Sequence, residues 1–108
     1  LLQNTKKDKL FDWLFKDRES TQVEAEYSNK SSTVIIDRMF IDDDILWIID
    51  FKTARPMEDE AIGDFIERQK SLHRKQLMKY KDILQGVFNL PTKVALYCPA
   101  VSKLVNFD

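Results

Sequence analysis

The stretch TVIIDRMFIDDDILWIIDFK, residues 33–52, decides the fold. Its two halves, 33–40 and 45–52, are rich in Val, Ile, Phe and Trp, which favour strands, and a run of aspartates separates them. Two such halves around a short polar connection predict a β-hairpin. Both faces of the hairpin are largely apolar, so we expect it to lie inside a sheet that is covered on two sides.

The turn of this hairpin fixes which residues face each other. In an antiparallel pair, opposed residues have numbers with a constant sum, and a two-residue turn at Asp43–Asp44 pairs Asp42 with Ile45. The same sum pairs Asp37 with Asp50, whose Cβ atoms would then lie about 5 Å apart. A four-residue turn keeps this pairing, whereas a three-residue turn puts the two aspartates on opposite faces.

Two opposed aspartates inside a sheet need a compensating charge or a shared proton, because burial raises the cost of their repulsion. Lys52 lies two residues beyond Asp50 and shares its face, while Arg38 points to the other side. Carboxylates without thiols or paired histidines suit a hard cation, Mg²⁺ or Mn²⁺, and Lys52 would then orient a water or neutralise developing negative charge. The alternative is that Lys52 simply forms an ion pair with structural aspartates.

The segments before the hairpin predict one helix and one strand. Apolar residues at helical spacing indicate a short helix over 9–18, which Ser20-Thr21 ends. Over 23–27, apolar residues alternate with Glu24 and Glu26, the period of a half-buried strand. Residues 29–32 read as a turn.

The segments after the hairpin predict a long helix and one or two strands. From Glu58 to about residue 84, apolar residues recur at three- and four-residue steps, typical of one long amphipathic helix or two abutting ones with a break at Gly63. Residues 93–98 form an apolar strand and 101–107 could add an edge strand. The order helix, three strands, helix, strand predicts an α/β fold, a mixed β-sheet flanked by helices.

Composition limits the class of protein. The chain has 108 residues, enough for a single domain, with 44 % apolar and 32 % charged residues, and no apolar run reaches the roughly twenty residues of a membrane span. Its one cysteine, Cys98, cannot close an internal disulfide, which fits a reducing cytoplasm, and we expect it to pack in the core. The net charge of −1 gives no long-range attraction toward DNA.

Basic residues nevertheless crowd one later segment, which could track a phosphate backbone or could be a solvated helix face. They are Arg68, Lys70, Arg74, Lys75, Lys79 and Lys81.

Three motifs resemble those of one nuclease family. Val34–Arg38 (VIIDR) and Ile48–Thr53 (IIDFKT) are similar to the signature of the RecB- and AddA-like nuclease domains of the PD-(D/E)XK superfamily, and Gln76–Tyr80 (QLMKY) is similar to a helix motif of the same group. The resemblance runs from about Glu24 to Pro99. It implies a restriction-endonuclease-like αβββαβ core and a metal-dependent DNA nuclease that acts as an exonuclease. It further implies coupling to a helicase in DNA end processing, repair and recombination.

The same resemblance assigns roles to residues. It implies that Asp37, Asp50 and the main-chain carbonyl of Phe51 hold Mg²⁺ or Mn²⁺, with Lys52 as the catalytic lysine. Auxiliary candidates are Glu24, Gln76 and Tyr80. Each role has an ordinary alternative. Glu24 could be a solvated strand residue. Tyr80 could simply pack the helix, with Gln76 capping a strand. His73, on the same helix face, we expect to be structural.

The sequence departs from the family in two places. Val34 replaces the usual glycine, and no counterpart precedes Glu24 for the family's earlier helix with a metal-binding His or acidic residue, since Asp12 and Asp17 lack its flanking residues. We therefore expect the chain to be a C-terminal piece of a larger helicase-nuclease, weakly active or inactive alone, and served by a second subunit if the parent needs one. A noncatalytic scaffold or DNA-holding module is the alternative, against which the intact acidic pair and lysine count.

Overall fold

The computed structural model describes residues 5–107, with side chains from residue 9 onward, and shows two α-helices and five strands in that range. The elements, in chain order, are α1 (Thr5–Phe15), β1 (Gln22–Ser28), β2 (Thr33–Asp42), β3 (Ile45–Phe51), α2 (Ile62–Phe88), β4 (Thr92–Cys98) and β5 (Lys103–Phe107), with one short 3-10 turn, Pro99–Val101, between the last two strands.

The five strands form one mixed sheet in the order β1-β2-β3-β4-β5. β3 and β4 are parallel and the other neighbours are antiparallel, so the chain must cross the sheet once between β3 and β4, and α2 makes that crossover. This confirms the predicted mixed α/β sheet with helices, including the extra edge strand at the C-terminal end of the described range.

The hairpin of β2 and β3 has the predicted turn and register. Asp43 and Asp44 have positive φ angles of 52° and 60°, the geometry of a tight two-residue hairpin turn, and Asp42 pairs with Ile45. The register continues to Arg38 opposite Ile49.

Each face of the sheet carries its own apolar cluster. Beneath α2 the larger cluster joins the strands to the helix; its fully buried members include Ile36, Ile48, Phe65, Leu77, Leu84, Val94 and Leu96. On the other face α1 covers a smaller cluster of Leu14, Phe40, Ile49, Ala95 and Tyr97. The central strands are therefore buried on both sides, as their composition predicted, and Cys98 packs in the larger cluster.

Both helices differ from prediction at both ends: α1 starts four residues earlier than expected, and α2 starts and ends four residues later. α1 ends at Phe15, three residues before the predicted end, because Arg18 folds back: its Nη2 donates to the carbonyl of Trp13 at 2.9 Å and its main-chain amide donates to Thr21 Oγ1. α2 is one continuous 27-residue helix that begins after the cap residue Ala61, so Gly63 does not break it. A glycine in the first turn costs little there, since the helix is held by its buried face.

The first strand differs in its burial. Val23 is 59 % exposed although the alternation predicted it to face the core. Glu24 beside it has a positive φ of 48°, which interrupts the pleat and turns the preceding residue outward. Ala25 and Tyr27, beyond the interruption, do pack against the larger cluster.

Among the described residues, neither helix has a stretch long and apolar enough to cross a membrane.

Candidate active site

The hairpin register brings two aspartates together in the middle of the sheet. Continued by one residue beyond Arg38 and Ile49, it sets Asp37 opposite Asp50. Ile48 packs under α2, so Asp50, two residues on, faces the same side. Asp37 lies between Ile36 and Met39, which both pack in that cluster although they are three residues apart, so the strand does not alternate regularly at this point. The Asp37 carboxyl is close enough to that of Asp50 to raise the Asp50 pKa.

Asp37 is held in place by the neighbouring strand. Its Oδ2 accepts a hydrogen bond of 2.8 Å from the main-chain amide of Phe51, the residue that follows Asp50. The Phe51 side chain lies on the opposite face, where its ring stacks on that of Phe15 with centroids 5.6 Å apart. The Phe51 main chain therefore borders the carboxylate pair, while its side chain takes no part in it.

Asp50 is the buried member of the pair and has an unusual pKa. It is 4 % exposed, and burial, joined by the adjacent Asp37 carboxyl, raises its pKa from 3.8 to about 6 despite the opposing effect of Lys52. Lys52 Nζ lies 3.0 Å from Asp50 Oδ2, yet that buried oxygen has no well-formed hydrogen bond. With both carboxylates ionised, the three side chains carry one negative charge that nothing in the group balances.

This donor set fits a hard divalent cation. Two carboxylates with an unsatisfied buried oxygen are the kind of ligands that Mg²⁺ takes, since Mg²⁺ commonly uses one or two protein carboxylates and fills its other positions with water and substrate phosphate. In the part of the chain that the structure describes, no group of three or more His, Cys, Asp or Glu side chains is arranged around a metal position. Asp37 and Asp50 are the acidic pair that the structure brings into contact here.

The face of α2 above the pair supplies a tyrosine and a histidine. Tyr80 is buried, and burial followed by the charges of Asp50 and Asp37 raises its pKa to about 12, which keeps the hydroxyl protonated. His73, two turns earlier, has its pKa lowered by partial burial and by the charge of Lys52, which keeps the imidazole neutral near pH 7. His73 therefore lies nearer to the site than the sequence led us to expect.

Gln76, predicted beside the site, is exposed on α2 one turn before Tyr80. The two residues share a side of the helix, as four-residue spacing requires. The structure gives Gln76 no hydrogen bond to Asp37, Asp50 or Lys52, so its role stays a prediction.

Gln69 is a polar residue on the apolar stripe of α2 that was not among the predicted site residues. It is 1 % exposed, and both heteroatoms of its amide are buried without a hydrogen-bond partner among the described residues. Spacing of four residues puts it on the same side of α2 as His73. Its signal in the sequence was a glutamine in the middle of an apolar stripe.

Glu24 lies across the first strand pair from Asp37. The pairs Val23 with Arg38 and Ala25 with Ile36 flank the two acidic residues, so the register sets them opposite each other. Both border an open groove of about 550 Å³ that is also lined by Phe15, Arg38 and Phe51, residues of the α1 side. Glu24 is exposed and its positive φ costs backbone energy, on the order of 1 kcal/mol for a non-glycine residue.

Arg38 points away from the pair, as predicted. It is 9 % exposed, with its Nε donating to the carbonyl of Leu14 at 2.9 Å and its Nη2 to that of Lys16 at 3.2 Å. The guanidinium therefore ties β2 to the end of α1 and leaves the carboxylates without an arginine partner.

The loop after Lys52 is fastened to α2 by one ion pair. Arg68 donates two hydrogen bonds, of 2.9 and 2.8 Å, to the carboxylate of Glu60, and this contact together with the Met57 amide lowers the Glu60 pKa to about 2. The attachment fixes the path of the chain from Lys52 to the helix.

The fold and the site define the class of protein: a mixed α/β sheet whose central strands carry one buried aspartate, one half-buried aspartate and an adjacent lysine. Comparison with known proteins adds no narrower assignment: no family model matches this chain, and no curated protein is significantly similar to it.

Proposed function

We propose that this chain is a metal-dependent DNA nuclease domain with a restriction-endonuclease-like core. In this proposal it hydrolyses phosphodiester bonds exonucleolytically at DNA ends and belongs to a helicase-nuclease of DNA repair and recombination. The observation that carries it is the convergence of Asp37, Asp50 and Lys52 at one point of the sheet, with Lys52 Nζ 3.0 Å from Asp50. A scaffold would be more stable with apolar residues at these positions.

The aspartates would hold the ion. Asp37 and Asp50, with the Phe51 main-chain carbonyl as a further ligand, would bind Mg²⁺ or Mn²⁺. When bound, such an ion acidifies a water molecule and offsets negative charge on a phosphate. The 2.8 Å hydrogen bond from the Phe51 amide keeps the Asp37 carboxylate oriented before any ion arrives, which lowers the cost of assembling the site.

Lys52 and Tyr80 would act on the substrate from the side of α2. An ammonium that is 3.0 Å from a buried carboxylate is positioned, and its remaining hydrogens can be donated to a water or to a phosphate oxygen. Tyr80 keeps its proton up to high pH, so its hydroxyl acts as a donor and not as a base. His73 near pH 7 is neutral and adds no charge that would compete with Lys52.

The near-neutral net charge supports delivery of the substrate by a partner. With a net charge of −1 the chain does not attract DNA from a distance, whereas a motor that feeds a single strand into the site makes such attraction unnecessary. A UvrD-like helicase in the same parent protein would serve this purpose.

The experiment is a cleavage assay on labelled single-stranded DNA with Mg²⁺ or Mn²⁺, supported by calorimetric metal binding. Lys52→Ala should lower cleavage at least a hundredfold and leave metal affinity nearly unchanged, because it removes charge stabilisation and not a ligand. Asp50→Ala should abolish both cleavage and metal binding. Glu67→Ala, an exposed acidic residue on α2, is the matched control and should cleave like the wild type.

One observation favours a second candidate, a noncatalytic DNA-holding module. The Lys52 ammonium already pairs with Asp50, and the described residues offer no third acidic ligand. If this candidate is right, metal does not bind and DNA still does.

For the nuclease proposal, cleavage that persists in Lys52→Ala would remove Lys52 from the mechanism.

A further inference from the structure

The basic residues of α2 do not all have the same role. Arg68 is bound to Glu60, and the guanidinium of Arg74 lies over the ring of Phe107 at 5.4 Å from its centroid. Lys81 lies by Trp47, in a cavity next to β4 and β5. These side chains are engaged in interactions or point away from the first strand pair.

Lys75 and Lys79 are both exposed and lie one turn apart on the same side of α2. Neither forms an ion pair within residues 9–107. Together they line an open groove of about 440 Å³ whose other wall is the β1–β2 turn. We call it the lysine groove; its polar lining is Asn29, Ser31, Ser32, Lys75, Lys79 and Asp82, and Met78 and Ile83 line it as well.

The turn that forms the other wall is fixed in shape. Asn29 Oδ1 accepts hydrogen bonds of 2.9 Å from the amides of Ser31 and Ser32. Near the turn, the ring of Tyr27 packs edge-on against Phe88 at 5.8 Å, which holds the first strand against α2. The groove therefore has two ordered walls. The β1–β2 turn carries hydroxyl groups, and α2 carries ammonium groups.

The groove lies within reach of a single-stranded DNA bound at the aspartate pair. β2 starts at Thr33, directly after the turn, and Asp37 is four residues along it, about 13 Å away at the usual rise of a strand. At about 3.4 Å per phosphate along a stacked strand, this is roughly four phosphates. On the α2 side, Lys79 is next to Tyr80, whose pKa responds to both aspartates.

We propose that the lysine groove binds the phosphate backbone of single-stranded DNA a few nucleotides from the bond at Asp37 and Asp50. This inference rests on the proposed function, which supplies DNA as the substrate, and it adds the path of that DNA along the protein surface. Two ammonium groups one turn apart can contact neighbouring phosphates, and the Ser32 hydroxyl can donate to the same oxygens. The Ser31 hydroxyl donates to Asn29 Oδ1 at 3.2 Å and helps to hold the turn. Asp82 is the one acidic residue lining the groove, and it weakens the contact.

The test is the salt dependence of DNA binding, measured by fluorescence anisotropy in metal-free buffer so that nothing is cleaved. With a labelled oligothymidylate of about eight nucleotides, Lys75→Ser/Lys79→Ser should bind at least tenfold more weakly at low salt. The slope of log Kd against log salt should fall by about 1.4, which is two phosphate contacts on a single strand. With about two nucleotides, the two proteins should not differ.

The matched control is Lys81→Ser/Lys93→Ser, which removes the same charge from the cavity beside β5. It should leave the salt slope unchanged. Two further variants test the groove in the opposite direction: Lys75→Arg/Lys79→Arg should bind like the wild type, and Asp82→Asn should bind several-fold more tightly. Thermal melting of each variant shows that it is folded.

An equal loss in the control pair, an unchanged slope in the groove pair, or no DNA binding by the wild type would overturn the proposal. Equal competition by polyglutamate of the same charge would also overturn it, because the groove would then accept any polyanion. Separate results would contradict the proposed function: no metal binding by the wild type, or cleavage that persists in Lys52→Ala. If it fails while the groove slope holds, DNA binding stands without nuclease activity.

Discussion

At the scale of single residues, the unusual feature of the molecule is negative charge placed where water does not reach. Asp50 is almost fully buried beside Asp37, and the only cation in contact with it, within residues 9–107, is Lys52 at 3.0 Å. Burial disfavours the ionised form, and the second carboxyl adds to that effect. Between about pH 4 and 6 the free protein therefore holds a proton at this position that the unfolded chain would release.

The first prediction is a loss of stability as pH rises. Asp50 binds its proton with a pKa of about 6 when folded and near 3.8 when unfolded, so between these values the folded state holds more protons and the free energy of unfolding falls with increasing pH. Asp50→Asn cannot ionise and should lack this loss. Urea titrations in EDTA should show the wild type losing on the order of 1–3 kcal/mol relative to Asp50→Asn between about pH 4 and 7.

The exposed substitution Asp82→Asn is the control and should follow the wild-type curve. Parallel curves for the wild type and Asp50→Asn over this range would mean that Asp50 ionises freely, and would remove the argument that the pair needs a cation.

The second prediction concerns Gln69. Its amide is buried without a partner, and such a group costs about 1–3 kcal/mol that an apolar side chain of similar shape avoids. Gln69→Met should raise the free energy of unfolding by about 1–2 kcal/mol. Gln76→Met, at an exposed position of the same helix, should change it by less than about 0.5 kcal/mol. A less stable Gln69→Met variant would show that buried water satisfies the amide.

At the scale of elements, the length of one turn controls the site. The two-residue turn at Asp43–Asp44 sets the register that aligns Asp37 with Asp50, and a slip of one residue would send one of them to the other face. Parity arguments of this kind need only the sequence, which is why the register could be predicted. The interruption at Glu24 and the early end of α1 could not be predicted in this way, because both depend on the folded context of the chain.

The third prediction is that a better turn stabilises the hairpin without changing the site. Asp43 and Asp44 adopt positive φ angles, which cost energy for residues other than glycine, and Asn-Gly is the preferred sequence for this turn. Asp43→Asn/Asp44→Gly should raise the free energy of unfolding by about 0.5–1 kcal/mol. Lys30→Gly, in the other hairpin turn and without a positive φ, is the control and should gain nothing.

A glycine inserted between Asp43 and Asp44 tests the same element from the other direction. It makes a three-residue turn, so the two aspartates should separate and metal-induced stabilisation should vanish. Retained metal binding in that insertion variant would contradict the parity argument.

At the scale of the whole molecule, the sheet brings together residues that are far apart in the sequence. β2 and β3 supply the aspartates, Lys52 directly follows β3, and α2 crosses above them with His73 and Tyr80. The sequence predicted the strands and the facing pair because strand period and turn length are local. It could not predict that Gln69 is buried without a partner or that His73 lies close enough to Lys52 to respond to its charge, since both follow from how the helix crosses the sheet.

The most direct measurement of the central claim is thermal unfolding of the wild type, Asp50→Asn and the control Glu67→Gln during a titration with Mg²⁺ or Mn²⁺. If Asp37 and Asp50 hold the ion, the wild type and the control should gain about 1.4 kcal/mol at roughly ten times the dissociation constant. Asp50→Asn should gain nothing over the same range. An equal shift in all three proteins, or none in the wild type, would contradict the claim that this aspartate pair is a metal site.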